Sequence, residues 1–115
     1  GFKMIEITIK KYLEEKMKKT VLLEHKENEP AQFFLIQKLG GGFRDGISNA
    51  SFAIQSYANS KYECAVMNDD LKKAMLSAIE LKDVSSVRLD SDYDYTDVQE
   101  KKHRYQAVYD IYYKD

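Results

Sequence analysis

The stretch Asn59–Leu81 constrains this chain more than any other. From Ser60 it reads SKYECAVMNDDLKKAMLSAIEL, with Tyr62, Ala65, Val66, Leu71, Ala74, Met75, Ala78 and Ile79 at helical spacings. That is the stripe of an amphipathic helix with one buried face. Ser60 opens it and Glu63 follows three residues later. The pair predicts a capping box, in which the Ser60 side chain accepts from Glu63 N–H and the Glu63 carboxylate reaches back to Ser60 N–H. Asp69, Asp70, Lys72 and Lys73 fall on the opposite face and are expected in water. About 20 helical residues span about 30 Å, the width of a small domain. One long helix across one sheet is the expected plan.

The flanking segments supply the sheet. Met4–Lys19 carries Ile5, Ile9, Tyr12, Leu13 and Met17 in a helical pattern. Ile5, Ile7 and Ile9 also alternate, which leaves a strand start open, but the helical spacing continues to Met17 and is preferred. Thr20–His25 is short and β-rich, and Lys26–Ala31 is a polar loop holding the single Pro. Gln32–Leu39 has Phe34 and Ile36 on one side and Phe33, Leu35 and Leu39 on the other, as in a central strand. Gly40–Gly46 (GGGFRDG) reads as a loop, and Ile47–Tyr57 alternates again, with Phe52 and Ile54 opposed to Ala53 and Gln55. The two strands form a hairpin whose connection is read as too long for a two-residue turn. After the long helix, Val84–Tyr95 sets Val87, Leu89, Tyr93 and Tyr95 against Asp90, Asp92 and Asp94. His103–Tyr113 alternates Tyr105, Ala107, Tyr109, Ile111 and Tyr113 against Gln106, Val108, Asp110 and Tyr112, completing a second hairpin. The order α-β-β-β-α-β-β predicts an α+β fold, a mostly antiparallel sheet of four to five strands with two helices on one face.

A length of 115 residues predicts a single domain, and 43% hydrophobic residues suffice for one core. Gly1–Lys3 precede Met4, a candidate natural start, in which case they are a remnant ahead of it. Charge is dense at 32% but nearly balanced at −1, which argues against nucleic-acid binding through a broad basic surface. No apolar run is long enough to span a membrane and no signal peptide is evident, so the expected setting is cytoplasmic. One cysteine excludes an internal disulfide framework. Nine Tyr without a Trp is unusual, and six of them lie from Tyr93 to Tyr113. Tyrosine forms both strands and interfaces.

Candidate chemistry is thin. The glycines of GGGFRDG precede a strand and no Lys-Ser/Thr pair, unlike a phosphate cradle. A mobile tip carrying Phe43 and Arg44 fits a partner contact better, ordering on assembly. Asp90, Asp92 and Asp94 resemble the start of a calcium loop, but Tyr95 and Lys101 stand where Gly and Glu are required. An acidic, solvated sheet face is the expected reading. Cys64 has apolar neighbours and is read as an unreactive thiol; His25 and His103 are the only histidines, and a Cys-His pair would need a coincidence of the fold. No catalytic, cofactor or metal site is predicted. The residues by themselves indicate a small binding or assembly protein.

Several phrases sharpen this: MIEITIKKYLEEK from Met4, VLLEH, FFLIQKLGGG from Phe33, SFAIQSYANSKYECAVMNDDLKKAM from Ser51, VSSVRLDSDYDYTD from Val84, and RYQAVYDIYY. In these, across nearly its whole length, the chain resembles the tail-terminator (tail-completion) or minor capsid proteins of long-tailed bacteriophages of Gram-positive hosts. The resemblance implies a virion structural protein that is not an enzyme, assembled in the host cytoplasm. It implies a homo-oligomeric ring, typically a hexamer, at the head-proximal end of the tail. The ring would contact the tail-tube and head-completion proteins and let DNA pass without specific binding. On that reading Phe43, Arg44, Tyr93, Tyr95, Tyr109 and Tyr112 are candidate interface residues, and Asp90, Asp92 and Asp94 are candidates to line the channel. The competing expectation is a small non-enzymatic adaptor or regulatory module binding one partner through the same tyrosines. A third is an enzyme subunit without catalytic groups of its own.

Overall fold

The computed structural model describes residues 4–114; the reading of Gly1–Lys3 as a remnant lies outside them. The described residues form an α+β fold in the expected order. Helix α1 (Ile5–Met17) leads to a short β1 (Thr20–Leu22), then β2 (Phe33–Arg44) and β3 (Ile47–Ala58). Helix α2 (Lys61–Ser77) continues as a 3-10 turn (Ala78–Glu80), and β4 (Val84–Asp94) and β5 (His103–Tyr113) follow. The sheet order is β1-β2-β3-β5-β4, antiparallel throughout except for the parallel β1–β2 pair.

The helices cover one face of this sheet. Ile5, Ile9 and Leu13 of α1 and Met67, Leu71, Ala74 and Met75 of α2 are buried with Phe34, Ile36, Phe52, Ile54, Ala107, Tyr109 and Ile111. The Tyr12 hydroxyl donates to the Ala74 carbonyl at 2.8 Å and docks α1 on α2. Lys18 ends α1 in a left-handed conformation, its N–H bonded to the Glu14 carbonyl.

The cap of α2 is close to expectation. Ser60 Oγ accepts from Glu63 N–H at 3.1 Å. The Glu63 carboxylate reaches back to the Ser60 hydroxyl, at 3.0 Å. The buried stripe differs at its ends. Leu71, Ala74, Met75 and Ala78 are buried, whereas Tyr62, Val66 and Ile79 are exposed and Cys64, Met67 and Asn68 take their place. Both stripes share Leu71, so hydropathy alone does not separate them. Asn68 is buried with its amide donating to the Asp92 carboxylate at 2.9 Å, while its Oδ1 is buried with no partner among the described residues.

Two features of the sheet correct the expectations. The glycine-rich segment is strand, not loop. Gly40, Gly41 and Gly42 pair with Ser51, Ala50 and Asn49, and Arg44 pairs with Ile47 across a two-residue turn, Asp45–Gly46. Both turn residues have positive φ, 53° and 81°, the requirement of a type I′ hairpin, for which Asp-Gly is a preferred pair. The second correction is in β4, where a bulge between Leu89 and Ser91 takes Asp90 out of register. One extra residue flips every later side chain to the other face. Tyr93 and Tyr95 therefore leave the face of Val87 and Leu89, and Asp92 and Asp94 turn toward α2.

Candidate protein interface

The β2–β3 hairpin is exposed along β2 from Gln37 to Arg44, in a molecule 44 Å long and 25 by 22 Å across. Its tip carries some of the exposed apolar groups. Phe43 is 69% exposed. Arg44 extends into solvent, 3.8 Å from a carboxylate oxygen of the equally exposed Asp45. By the pairing register, Phe43 stands on the helix side of the sheet, opposite Ser48, while Arg44 and Ile47 stand on the other side. Ile47, Asn49 and Tyr112 border a shallow cleft with Arg44 and Asp45. Leu39, displaced by a bulge between Lys38 and Gly40, is exposed as well. Phe43, Arg44 and Tyr112 thus lie near one end of the molecule, together with Leu39 and Ile47, which the sequence pattern did not single out.

Tyr93 and Tyr95 lie apart from that end, on the face without helices. Their rings meet edge to face at 5.8 Å, both partly exposed. The Arg104 guanidinium stands 4.4 Å from the Tyr95 ring centroid and donates from Nε to the Tyr95 carbonyl at 2.6 Å. Its Nη1 donates to the Tyr57 hydroxyl at 3.2 Å. Tyr57 stacks on Phe33 at 4.6 Å and donates to Gln55, and Gln106 donates to the Tyr93 hydroxyl. His25, on the loop after β1, stands edge-on to Phe33 and Tyr57 and bonds Glu29 through Nδ1 at 2.7 Å. Burial opposes ionisation of Glu29, but the hydrogen bonds from His25 and the Lys26 N–H outweigh it and hold its carboxyl below the ordinary range. Arg104 shares a face with Gln106 and pairs with Tyr57 across β3. Its place beside Tyr57 and Tyr95 depends on strand pairing.

Tyr109 is no surface residue. It is fully buried beneath α2, and burial pushes its hydroxyl pKa up. A side chain so placed offers a partner no contact area, which removes it from the interface set. The alternation placed Tyr109 with Ala107 and Ile111; that face is covered by helices.

The three aspartates do not form one open acidic face. Asp90 is at the bulge, exposed and with no ion-pair partner among the described residues. Asp92 accepts from Asn68 and from Lys72 at 2.5 Å. That hydrogen bond is the main reason the Lys72 ammonium is held above its ordinary pKa. Asp94 accepts from the Thr96 hydroxyl and backbone N–H and pairs with Lys61 at 3.4 Å. The Thr96 hydroxyl is the largest cause of its lowered pKa. Asp92 and Asp94 thus tie the edge strand to α2.

Cys64 is buried, and desolvation raises its thiol pKa to about 11. His103 lines a polar hollow with Glu29, Phe33, Tyr57 and Lys102, while His25 is not part of that lining and stands edge-on to Tyr57. No family model and no curated protein sequence matches the chain.

Proposed function

We propose that this chain is a virion structural protein of the tail-terminator kind, one that self-associates into a ring and joins neighbouring components of a phage tail. The observation that carries the reading is the hairpin end, where Leu39, Phe43, Ile47 and, on the neighbouring β5, Tyr112 are exposed. Exposed aromatic and Arg residues are the side chains that partners bury with most gain. The sequence resemblance supplies the kind of assembly: tail tube on one side, head-completion protein on the other, DNA in passage. On this reading Phe43, Arg44 and Tyr112 are contact residues and no catalytic step is involved.

A double substitution tests it. Phe43→Ala with Arg44→Ala is expected to leave monomer stability within about 0.5 kcal/mol, as surface changes do. It is expected to impair ring formation, read by sedimentation, or tail joining, read in a reconstitution with tube and head parts. Normal assembly removes the hairpin tip from the functional surface.

The Tyr93–Tyr95–Arg104 surface favours a second reading, an adaptor that binds one protein partner on the helix-free face. That reading expects a monomer at every concentration, and binding lost on Tyr93→Ala and Tyr95→Ala.

A further inference from the structure

A row of polar side chains crosses the helix-free face of the sheet, each touching the next. Glu29 meets His25 Nδ1 at 2.7 Å, and His25 Nε2 meets the Tyr57 hydroxyl at 3.3 Å. The Tyr57 hydroxyl lies 2.9 Å from Gln55 Oε1, and Gln55 Nε2 lies 2.9 Å from Gln106 Oε1. Gln106 Nε2 reaches the Tyr93 hydroxyl. Strand pairing builds the row. Tyr57 and Gln55 point the same way on β3, and Gln106 pairs with both Gln55 and Tyr93. The row starts on the loop after β1 and ends at the partly exposed Tyr93. Its middle is shielded, since Tyr57 and Gln55 are both buried. A buried amide or hydroxyl keeps a hydrogen-bond partner, so these groups depend on one another and not on bulk water.

Counting hydrogens fixes the direction of every bond in the row. The Tyr57 hydroxyl has one hydrogen to give and two lone pairs. Arg104 Nη1 donates to it at 3.2 Å and occupies one lone pair. One hydrogen and one lone pair remain, to be divided between Gln55 and His25. A charged imidazole carries a hydrogen on both nitrogens. Nδ1 of a charged His25 donates to Glu29 and Nε2 to Tyr57. Tyr57 then donates to Gln55, Gln55 to Gln106, and Gln106 to Tyr93, which is the observed order. A neutral His25 keeps its one hydrogen on Nδ1, for the Glu29 carboxylate, and Nε2 becomes an acceptor. Tyr57 must then donate to Nε2. Gln55 must turn its NH2 to Tyr57 and Gln106 its NH2 to Gln55, and Tyr93 becomes a donor to Gln106 Oε1. We propose that protonation of His25 sets the direction of this chain, and so decides whether the exposed Tyr93 hydroxyl turns its hydrogen outward or inward. The groups around His25 leave the step reversible. Glu29 on its own loop favours the imidazolium, and Arg104 of β5, across the Tyr57 hydroxyl, opposes it. Lys102, just before β5, acts on Glu29; β2 contributes the uncharged Phe33, and β3 contributes Tyr57. Histidine is the side chain that titrates between about pH 5 and 8. The inference depends on neither reading of the function and makes the helix-free face sensitive to pH.

Heteronuclear NMR of the full chain, titrated from about pH 8 to about pH 5, tests the switch. The side-chain amide signals of Gln55 and Gln106, and the Tyr93 ring carbon bearing the hydroxyl, are expected to shift with the midpoint of the His25 ring. His25→Phe keeps a ring edge-on to Phe33 and Tyr57 and is expected to abolish those shifts. Gln55→Leu is expected to leave the His25 titration visible and to silence Gln106 and Tyr93. His103, whose ring lies outside the chain, is the internal control. Glutamine amides that stay still while His25 titrates overturn the proposal. Shifts that persist in His25→Phe, or that follow the His103 midpoint, overturn it by assigning the proton elsewhere. Shifts at Gln106 and Tyr93 that survive Gln55→Leu overturn it as well, because a field through space then replaces the chain of bonds.

Discussion

Cys64 and Tyr109 are held protonated by burial, and both are close to fully enclosed. A raised pKa in an acid means that the folded chain keeps a proton that the unfolded chain releases. The stability this represents is complete below the ordinary pKa and is lost as pH rises through the folded value. For Cys64 that window runs from 9.0 to about 11; for Tyr109 it begins at 10.0. Urea midpoints measured from pH 8 to 11 are expected to fall, and Cys64→Ala with Tyr109→Phe to flatten that fall. An unchanged slope in the double variant would place the alkaline transition elsewhere. The same residues show what alternation can and cannot reveal. It put Tyr109 with Ala107 and Ile111, but contact with solvent or with a helix is set by the layer above. The Tyr109 hydroxyl has no protein partner among the described residues, a buried arrangement that a residue-type prior does not anticipate.

At the scale of elements, α2 and the β2–β3 hairpin make a useful contrast. Leu71 is fully buried on α2, in the cluster containing Phe34, Phe52 and Ile54. Leu71→Ala is expected to cost about 2–5 kcal/mol in chemical denaturation, as buried large-to-small changes do. A cost below about 1 kcal/mol would show that the helix can shift to fill the space. The helix, its Ser60 cap and its central residues were legible because they depend on local spacing and a local hydrogen bond. Its ends were less so: Tyr62, Val66 and Ile79 continue the apolar pattern but point away from the sheet. Asn68 is buried with its amide on Asp92, more than 20 residues away. In the hairpin, four glycines drew the reading toward a loop, although Asp45–Gly46 alone satisfies a tight turn. The bulge at Asp90 is likewise a property of paired strands, and it redirected Tyr93, Tyr95, Asp92 and Asp94 at a stroke.

For the whole molecule, the radius of gyration of 14.0 Å is slightly above the ~13 Å expected for a compact chain of this length. An extent of 44 Å against 25 and 22 Å agrees with the direction of the difference. Dilute X-ray scattering is expected to show an elongated monomer. The sequence by itself determined the order of elements, the α+β class and the long capped helix, since each follows from period and capping within a few residues. The tertiary structure decided which strands became edges, which face of the sheet the helices cover, and where Tyr93, Tyr95, Tyr109 and the aspartates point. Those outcomes depend on pairing between distant segments, where a single extra residue reverses the facing of everything beyond it.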